Sequence, residues 1–223
     1  MDLEMWKKTF SDPVDSPAHY TRSLLIVCPR SVVAADAEEG GWIRTFSRVV
    51  RLEMWSTTLG IRELSLVPFH NFSPVLKSLR VVSCSLPRSQ IFDLVCSLPL
   101  LEDLGLVDNT SHQSDHNHFP PSTSPPLTGS LELYAYRMEH TVDRLLKLPG
   151  GLHFRKLALT WCFERNLRQI MALVTRCSDT IECFDISNSL PSRMYFWLLH
   201  WEDWLTRTSV CSRGPVAGFH RPI

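Results

Sequence analysis

The sequence lacks an excess charge of either sign: Lys plus Arg and Asp plus Glu both total 23. With no net field there is no long-range pull toward nucleic acid or an anionic lipid surface, so neither is an expected partner. It lacks any apolar run near the roughly 18 residues that a membrane span needs. Its first residues, Met1-Asp2-Leu3-Glu4-Met5-Trp6, contain no signal-peptide stretch. A chain of the cytoplasm or nucleus is expected. The cysteines at 28, 84, 96, 162, 177, 183 and 211 include no CxxC pair. An odd set without that spacing points to reduced, buried thiols rather than disulfides. Also missing are G-x-S-x-G, H-E-x-x-H, G-x-G-x-x-G and a phosphate-binding glycine loop. Nothing pairs a nucleophile with a base, so the chain is not expected to be an enzyme or to hold a cofactor.

What is present is a recurrence. Leu101-Glu102-Asp103-Leu104-Gly105-Leu106-Val107-Asp108-Asn109 fits the leucine-rich-repeat unit L-x-x-L-x-L-x-x-N/C. Leu76, Leu79, Val81 and Cys84 fill the same four positions, and so do Phe154, Leu157, Leu159 and Cys162. Using the central L-x-L as a ruler, strands are expected at Leu24-x-Ile26, Leu52-x-Met54, Leu79-x-Val81, Leu104-x-Leu106, Leu131-x-Leu133, Leu157-x-Leu159 and Phe184-x-Ile186. The steps between them are 28, 27, 25, 27, 26 and 27 residues. A further match, Ile61-x-x-Leu64-x-Leu66, falls out of phase.

Between these strands the apolar period changes to that of a helix. Ile91, Phe92, Leu94, Val95 and Leu98 form one apolar face, closed by Pro99. Val142, Leu145 and Leu146 form another, closed by Pro149-Gly150-Gly151, and Leu167, Ile170, Met171 and Val174 a third. Trp42, Phe46 and Val49 suggest an earlier helix. The expected fold is an α/β leucine-rich-repeat solenoid, with a curved parallel sheet on the concave side and helices on the convex side. Residues 1–20 read as an N-terminal cap and 21–190 as the repeat array, with an irregular Ser/Pro/His-rich loop at 110–129. Residues 191–210 read as a Trp-rich helix and 211–223 as a disordered tail.

In such an array, the strand positions that alternate with the buried leucines face outward. The candidates for a partner-binding concave face are Lys77, Arg80, Glu102, Asp103, Asp108, Glu132, Tyr134, Arg155, Lys156, Trp161 and Asp185, with Ser78 and Glu182 beside them. Aromatic side chains and arginine among mixed charges suit an unknown protein or peptide partner. His112, His116 and His118, with Asp115, carry the ligand types of zinc or copper. Their spacing in a polar stretch matches no strong signature, so an exposed loop and no metal site are expected. Trp197, Trp201 and Trp204 share one face of a helix. Glu202 and Asp203 stand where a membrane anchor carries cations, so packing against the last unit is expected.

Several strings reach beyond the repeat pattern: Trp6-Lys7-Lys8-Thr9-Phe10, Ser16-Pro17-Ala18-His19-Tyr20-Thr21, Ala34-Ala35-Asp36-Ala37-Glu38 and Gly40-Gly41-Trp42-Ile43. They continue with Phe46-Ser47-Arg48-Val49-Val50, Leu66-Val67-Pro68-Phe69-His70, Phe72-Ser73-Pro74-Val75-Leu76 and Leu98-Pro99-Leu100-Leu101-Glu102-Asp103-Leu104. In this order they resemble a group of leucine-rich-repeat proteins abundant in mushroom-forming fungi and usually labelled F-box proteins. The resemblance implies that the repeats hold a substrate, and that an F-box before them docks on a Skp-type adaptor of a cullin ubiquitin ligase. Trp6 stands too near Met1 for an F-box to precede it, so such an adaptor is expected only if the box is restored. The expected function is non-catalytic protein recognition like that of the substrate-binding part of such an adaptor. The alternative is a stand-alone structural or regulatory repeat protein without a ligase role.

Overall fold

Leu24, Leu52, Leu79, Leu104, Leu131, Leu157 and Phe184 occupy one register position across seven hydrogen-bonded strands. One residue pair further along lies a second row, Ile26, Met54, Val81, Leu106, Leu133, Leu159 and Ile186. The computed structural model describes residues 16–28, 45–56, 67–72, 74–83, 88–107, 123–134, 139–160 and 166–187. The strands are β1 (Ser23–Cys28), β2 (Arg51–Ser56), β3 (Ser78–Val82), β4 (Asp103–Val107), β5 (Leu127–Tyr134), β6 (Leu152–Thr160) and β7 (Cys183–Ser187). Three α-helices lie among the described residues: α1 (Arg88–Cys96), α2 (Glu139–Leu146) and α3 (Leu167–Arg176). The chain is therefore α/β, with all strands parallel and ordered β1-β2-β3-β4-β5-β6-β7.

This order has a geometric consequence. Parallel neighbours need a crossover, and crossovers share one hand. When every strand is added on the same side of the last, the described helices α1, α2 and α3 fall on the same face of the sheet. The burial pattern agrees. The two leucine-rich rows join Ile91, Leu94 and Val95 of α1, Val142 and Leu145 of α2, and Ile170, Leu173 and Val174 of α3 in one core. The opposite face carries exposed Leu25, Val27 and Trp55.

Short turns return each helix to the next strand. After α1, the Ser97 hydroxyl donates to the Leu94 carbonyl at 2.7 Å, and Leu98 and Leu101 plug the core on either side of Pro99 and Leu100. After α2, Leu148 and Leu152 do the same around Gly150 and Gly151. Ahead of several strands one carbonyl accepts from two successive amides of the next unit of chain. Arg22 O accepts from Val50 and Arg51, Val50 O from Lys77 and Ser78, and Lys77 O from Glu102 and Asp103. These bonds lock the register before the strand begins. Ser16 Oγ accepts from Ala18 N ahead of a 3-10 turn at Pro17–Tyr20. A second 3-10 turn, Val67–Phe72, buries Phe69 and Phe72 edge to face, with ring centroids 6.2 Å apart.

Two expectations need correction. Phe46 and Val49 are buried, yet residues 45–50 form a turn rather than a helix. Their spacing came from core contact alone, which a turn can also satisfy. The irregular segment expected at 110–129 ends sooner, because β5 begins at Leu127 and pairs Leu127, Thr128 and Gly129 with Leu152, His153 and Phe154. Gly129 then takes φ +78° and a bulge follows, so the polar composition of this stretch concealed a strand. The expected His112/His116/His118 loop, Trp42, the Ile61–Leu66 match and the Trp197/Trp201/Trp204 helix lie outside the described residues.

Gly129 and Gly151 share the same left-handed conformation but not the same surroundings. A Cβ at Gly129 would lie 2.0 Å from the Glu102 carbonyl oxygen, whereas one at Gly151 would meet only the His153 side chain at 3.3 Å. Gly129→Ala should lower unfolding free energy by at least about 2 kcal/mol in urea titration, and Gly151→Ala by about 1 kcal/mol. Equal costs would mean that the backbone approach at Glu102 is unimportant.

Burial also raises the Cys96 thiol from 9.0 to about 11, with Asp93 adding to the effect and a Ser124 hydrogen bond opposing it. The folded chain thus keeps a proton that the unfolded chain has already lost between pH 9 and about 11. Stability from this group is full below pH 9 and falls as pH climbs through that window. Cys96→Ala should flatten the decline of the urea midpoint over that range. An unchanged slope would contradict the assignment.

Candidate functional site

On the open face, the positions between the leucine rows form three rows of their own. The first, at the N-terminal ends of the strands, is Ser23, Arg51, Ser78, Asp103, Ser130, Lys156 and Cys183. The middle row is Leu25, Glu53, Arg80, Gly105, Glu132, Ala158 and Asp185. The third is Val27, Trp55, Val82, Val107, Tyr134 and Thr160, ending at Ser187. The middle row carries Glu53, Arg80, Glu132 and Asp185, the first row Arg51, Asp103 and Lys156, and the third row no charge. The exposed apolar side chains are Leu25 in the middle row and Val27 and Trp55 in the third.

The middle row is organised by one side chain. Arg80 Nε and Nη2 donate to the two carboxylate oxygens of Glu132, each at 3.1 Å, while Nη1 donates to Glu53 Oε1 at 2.8 Å. Trp55 Nε1 donates to that same Glu53 oxygen at 2.7 Å. Glu132 stands two strands from Arg80, about 10 Å away at the usual strand spacing. The intervening position is Gly105, where a Cβ would come within 2.8 Å of Arg80 Cγ and 3.4 Å of Glu132 Oε2. The absent side chain is therefore the channel along which the arginine lies. Its fork then meets the carboxylate with two parallel hydrogen bonds. The Glu132 hydrogen bond raises the Arg80 pKa against the cost of desolvation, with Glu53 assisting. One guanidinium thus serves two carboxylates and leaves the cluster acidic.

Most of the other expected residues lie at the strand starts. Lys77 and Glu102 each immediately precede a strand and form an ion pair at 2.7 Å, both about half exposed. Asp103 begins β4, and its carboxylate accepts from the Ser130 hydroxyl. Arg155 is the extra residue at the β6 bulge, with Nε 3.8 Å from Glu182. Lys156, the next residue, is exposed and registers with Cys183. Asp185 is exposed in the middle row, and Tyr134 is half-buried in the third. Asp108 and Trp161 lie outside the described residues.

The structure therefore brings Arg80, Glu132, Tyr134 and Asp185 onto one surface and pairs Lys77 with Glu102 beside it. The sequence reading left out Glu53, Trp55, Gly105, Val27 and Leu25. The expected strands at Leu24-x-Ile26 and Leu52-x-Met54 already contained the signal, because their intervening positions share the outward phase. Among the described residues, no group of three or more His, Cys, Asp or Glu could hold a metal ion. Nor is any helix among them long and apolar enough to cross a membrane. No family model matches the chain, and no curated protein or solved structure matches it.

The glycine channel is open to a direct test. In a double-mutant cycle, Arg80→Met and Glu132→Gln should couple by on the order of 1 kcal/mol, since the pair is partly solvated. Placing Val at position 105 should abolish that coupling, and added salt should weaken it. Coupling that survives Gly105→Val would rule out the route across β4.

Proposed function

We propose that the chain is a leucine-rich-repeat solenoid whose parallel sheet lines the concave side, and that this sheet face recognises a protein or peptide without catalysis. The observation that carries this reading is the open face itself. Seven strands in register present outward rows that no described helix covers, with Trp55 41% and Val27 49% exposed beside the Arg80 cluster. An exposed aromatic and apolar stripe bordered by ordered charge is what recognition surfaces use, since Tyr, Trp and Arg supply most contact energy. The strand spacing of 25 to 28 residues supports the repeat architecture.

By its resemblance, the chain corresponds to the substrate-binding part of an F-box-type adaptor. That link rests on the sequence strings rather than on the geometry of the face.

A photo-crosslinking amino acid at Ala158, between Glu132 and Asp185, should give a discrete adduct with a binding partner. Excess unlabelled protein should suppress it. The same group at Arg168, on α3, should give none. Equal adducts from both positions would sink the face assignment. Co-purification with a Skp-type adaptor would support the ligase link, and its absence would leave recognition without that role.

A further inference from the structure

Two strands carry the same pair of neighbours on the open face. Glu53-x-Trp55 on β2 and Glu132-x-Tyr134 on β5 each place a carboxylate and an aromatic ring at alternate positions of one strand, hence side by side. The pairs share register rows, so they stand three strand spacings apart, about 14 Å. Between them lie Val82 and Val107 in the third row, and Arg80 and Gly105 in the middle row. A carboxylate next to an aromatic face is the combination that holds an organic cation, through an ion pair and a cation–π contact together. The molecule already demonstrates the affinity of this cluster for guanidinium, because Arg80 is held by both carboxylates at once. That one guanidinium leaves the two carboxylates a net charge short of neutrality, and Asp185 extends the acidic row.

Resting on the recognition reading above, we infer that the face takes a linear segment bearing two basic side chains four positions apart with an apolar residue midway, of the form basic-x-apolar-x-basic. In an extended chain, residues four apart on one side lie about 13 to 14 Å from each other, which matches the spacing of the two pairs. The residue midway between them points to the same side and meets half-buried Val107, next to Val82, which is itself buried. The sheet is also long enough for a linear segment: six strand spacings of about 4.8 Å make it about 29 Å from β1 to β7. Charge complementarity sets the sign of the partner. An acidic segment lying along the middle row would face Glu53, Glu132 and Asp185 against Arg80 alone in that row, with Arg51 and Lys156 in the row beside it.

Arg80 is then an internal competitor for the same carboxylates, and this separates the inference from a merely structural role. The probe is a fluorescently labelled peptide, Gly-Gly-Arg-Ser-Leu-Ser-Arg-Gly-Gly, titrated with the full chain and read by anisotropy. It should bind at least tenfold more tightly than the same peptide with Gln at both Arg positions, and added salt should weaken it. Trp55→Ala and Tyr134→Ala should each weaken it tenfold or more, and Glu132→Gln should weaken it similarly. Arg80→Met should tighten it several-fold, because both carboxylates are released to the ligand; a poorly folded variant would not do this. Equal binding of the Gln peptide, or weaker binding by Arg80→Met, would overturn the cationic assignment. The recognition reading would survive that result, since it falls only with the crosslinking contrast between Ala158 and Arg168.

Discussion

Strand addition in one direction is the constraint on which the rest of this structure depends. Each parallel strand joins the sheet beside its predecessor, so crossover helices of one hand accumulate on one face and, among the described residues, no helix covers the other. Parallel sheets are usually covered on both sides, and their strands then read as continuous apolar runs. Here the strands alternate instead. Leu52 and Met54 are buried while Glu53 and Trp55 face outward, and Leu131 and Leu133 are buried around Glu132. The apolar period of two is thus the signature of a half-covered sheet. The helices meet the leucine rows because those rows need covering.

Among the described residues the open face has no second layer, and its cross-strand contacts tie it together. Lys77 reaches Glu102 just ahead of the neighbouring strand, Asp103 accepts from Ser130, and Arg80 ties together four strands, β2 to β5, by lying over Gly105. Individually such solvated contacts contribute little. Their consequence is order, because the same pairs that tether neighbouring strands hold carboxylates and aromatic rings in fixed rows. Neutralisation is incomplete by one charge within the Glu53–Arg80–Glu132 cluster.

Much of the framework was legible beforehand because it follows from local periodicity. The seven L-x-L strands and the three helical faces rest on spacing that any half-buried strand or helix must show, and each falls on an element of that type. The misreadings occurred where two structures share one pattern. Phe46 and Val49 are separated as helix residues would be, but a turn buries them equally well. Leu127, Thr128 and Gly129 sit in a stretch rich in Pro and Ser, and their strand forms only because β6 offers Leu152, His153 and Phe154 as partners. The outward residues of β1 and β2 were available from the same alternation but belonged to units that match the repeat less closely.

The amino-acid sequence by itself determined which residues are buried, where strands and helices lie, and which strand positions alternate outward. Those properties depend on neighbours a few residues away and on the cost of leaving leucine in water. Only the tertiary structure decided what the outward residues do. Arg80 and Glu132 are 52 residues apart, and nothing in either position names the other. Their union requires β3, β4 and β5 to align in register and Gly105 to fall at the one place between them. Several of the mixed charges expected on this face are engaged with one another, as Lys77 is with Glu102 and Arg80 with Glu53 and Glu132. What remains unneutralised, beside Trp55 and Tyr134, is a property of the assembled sheet.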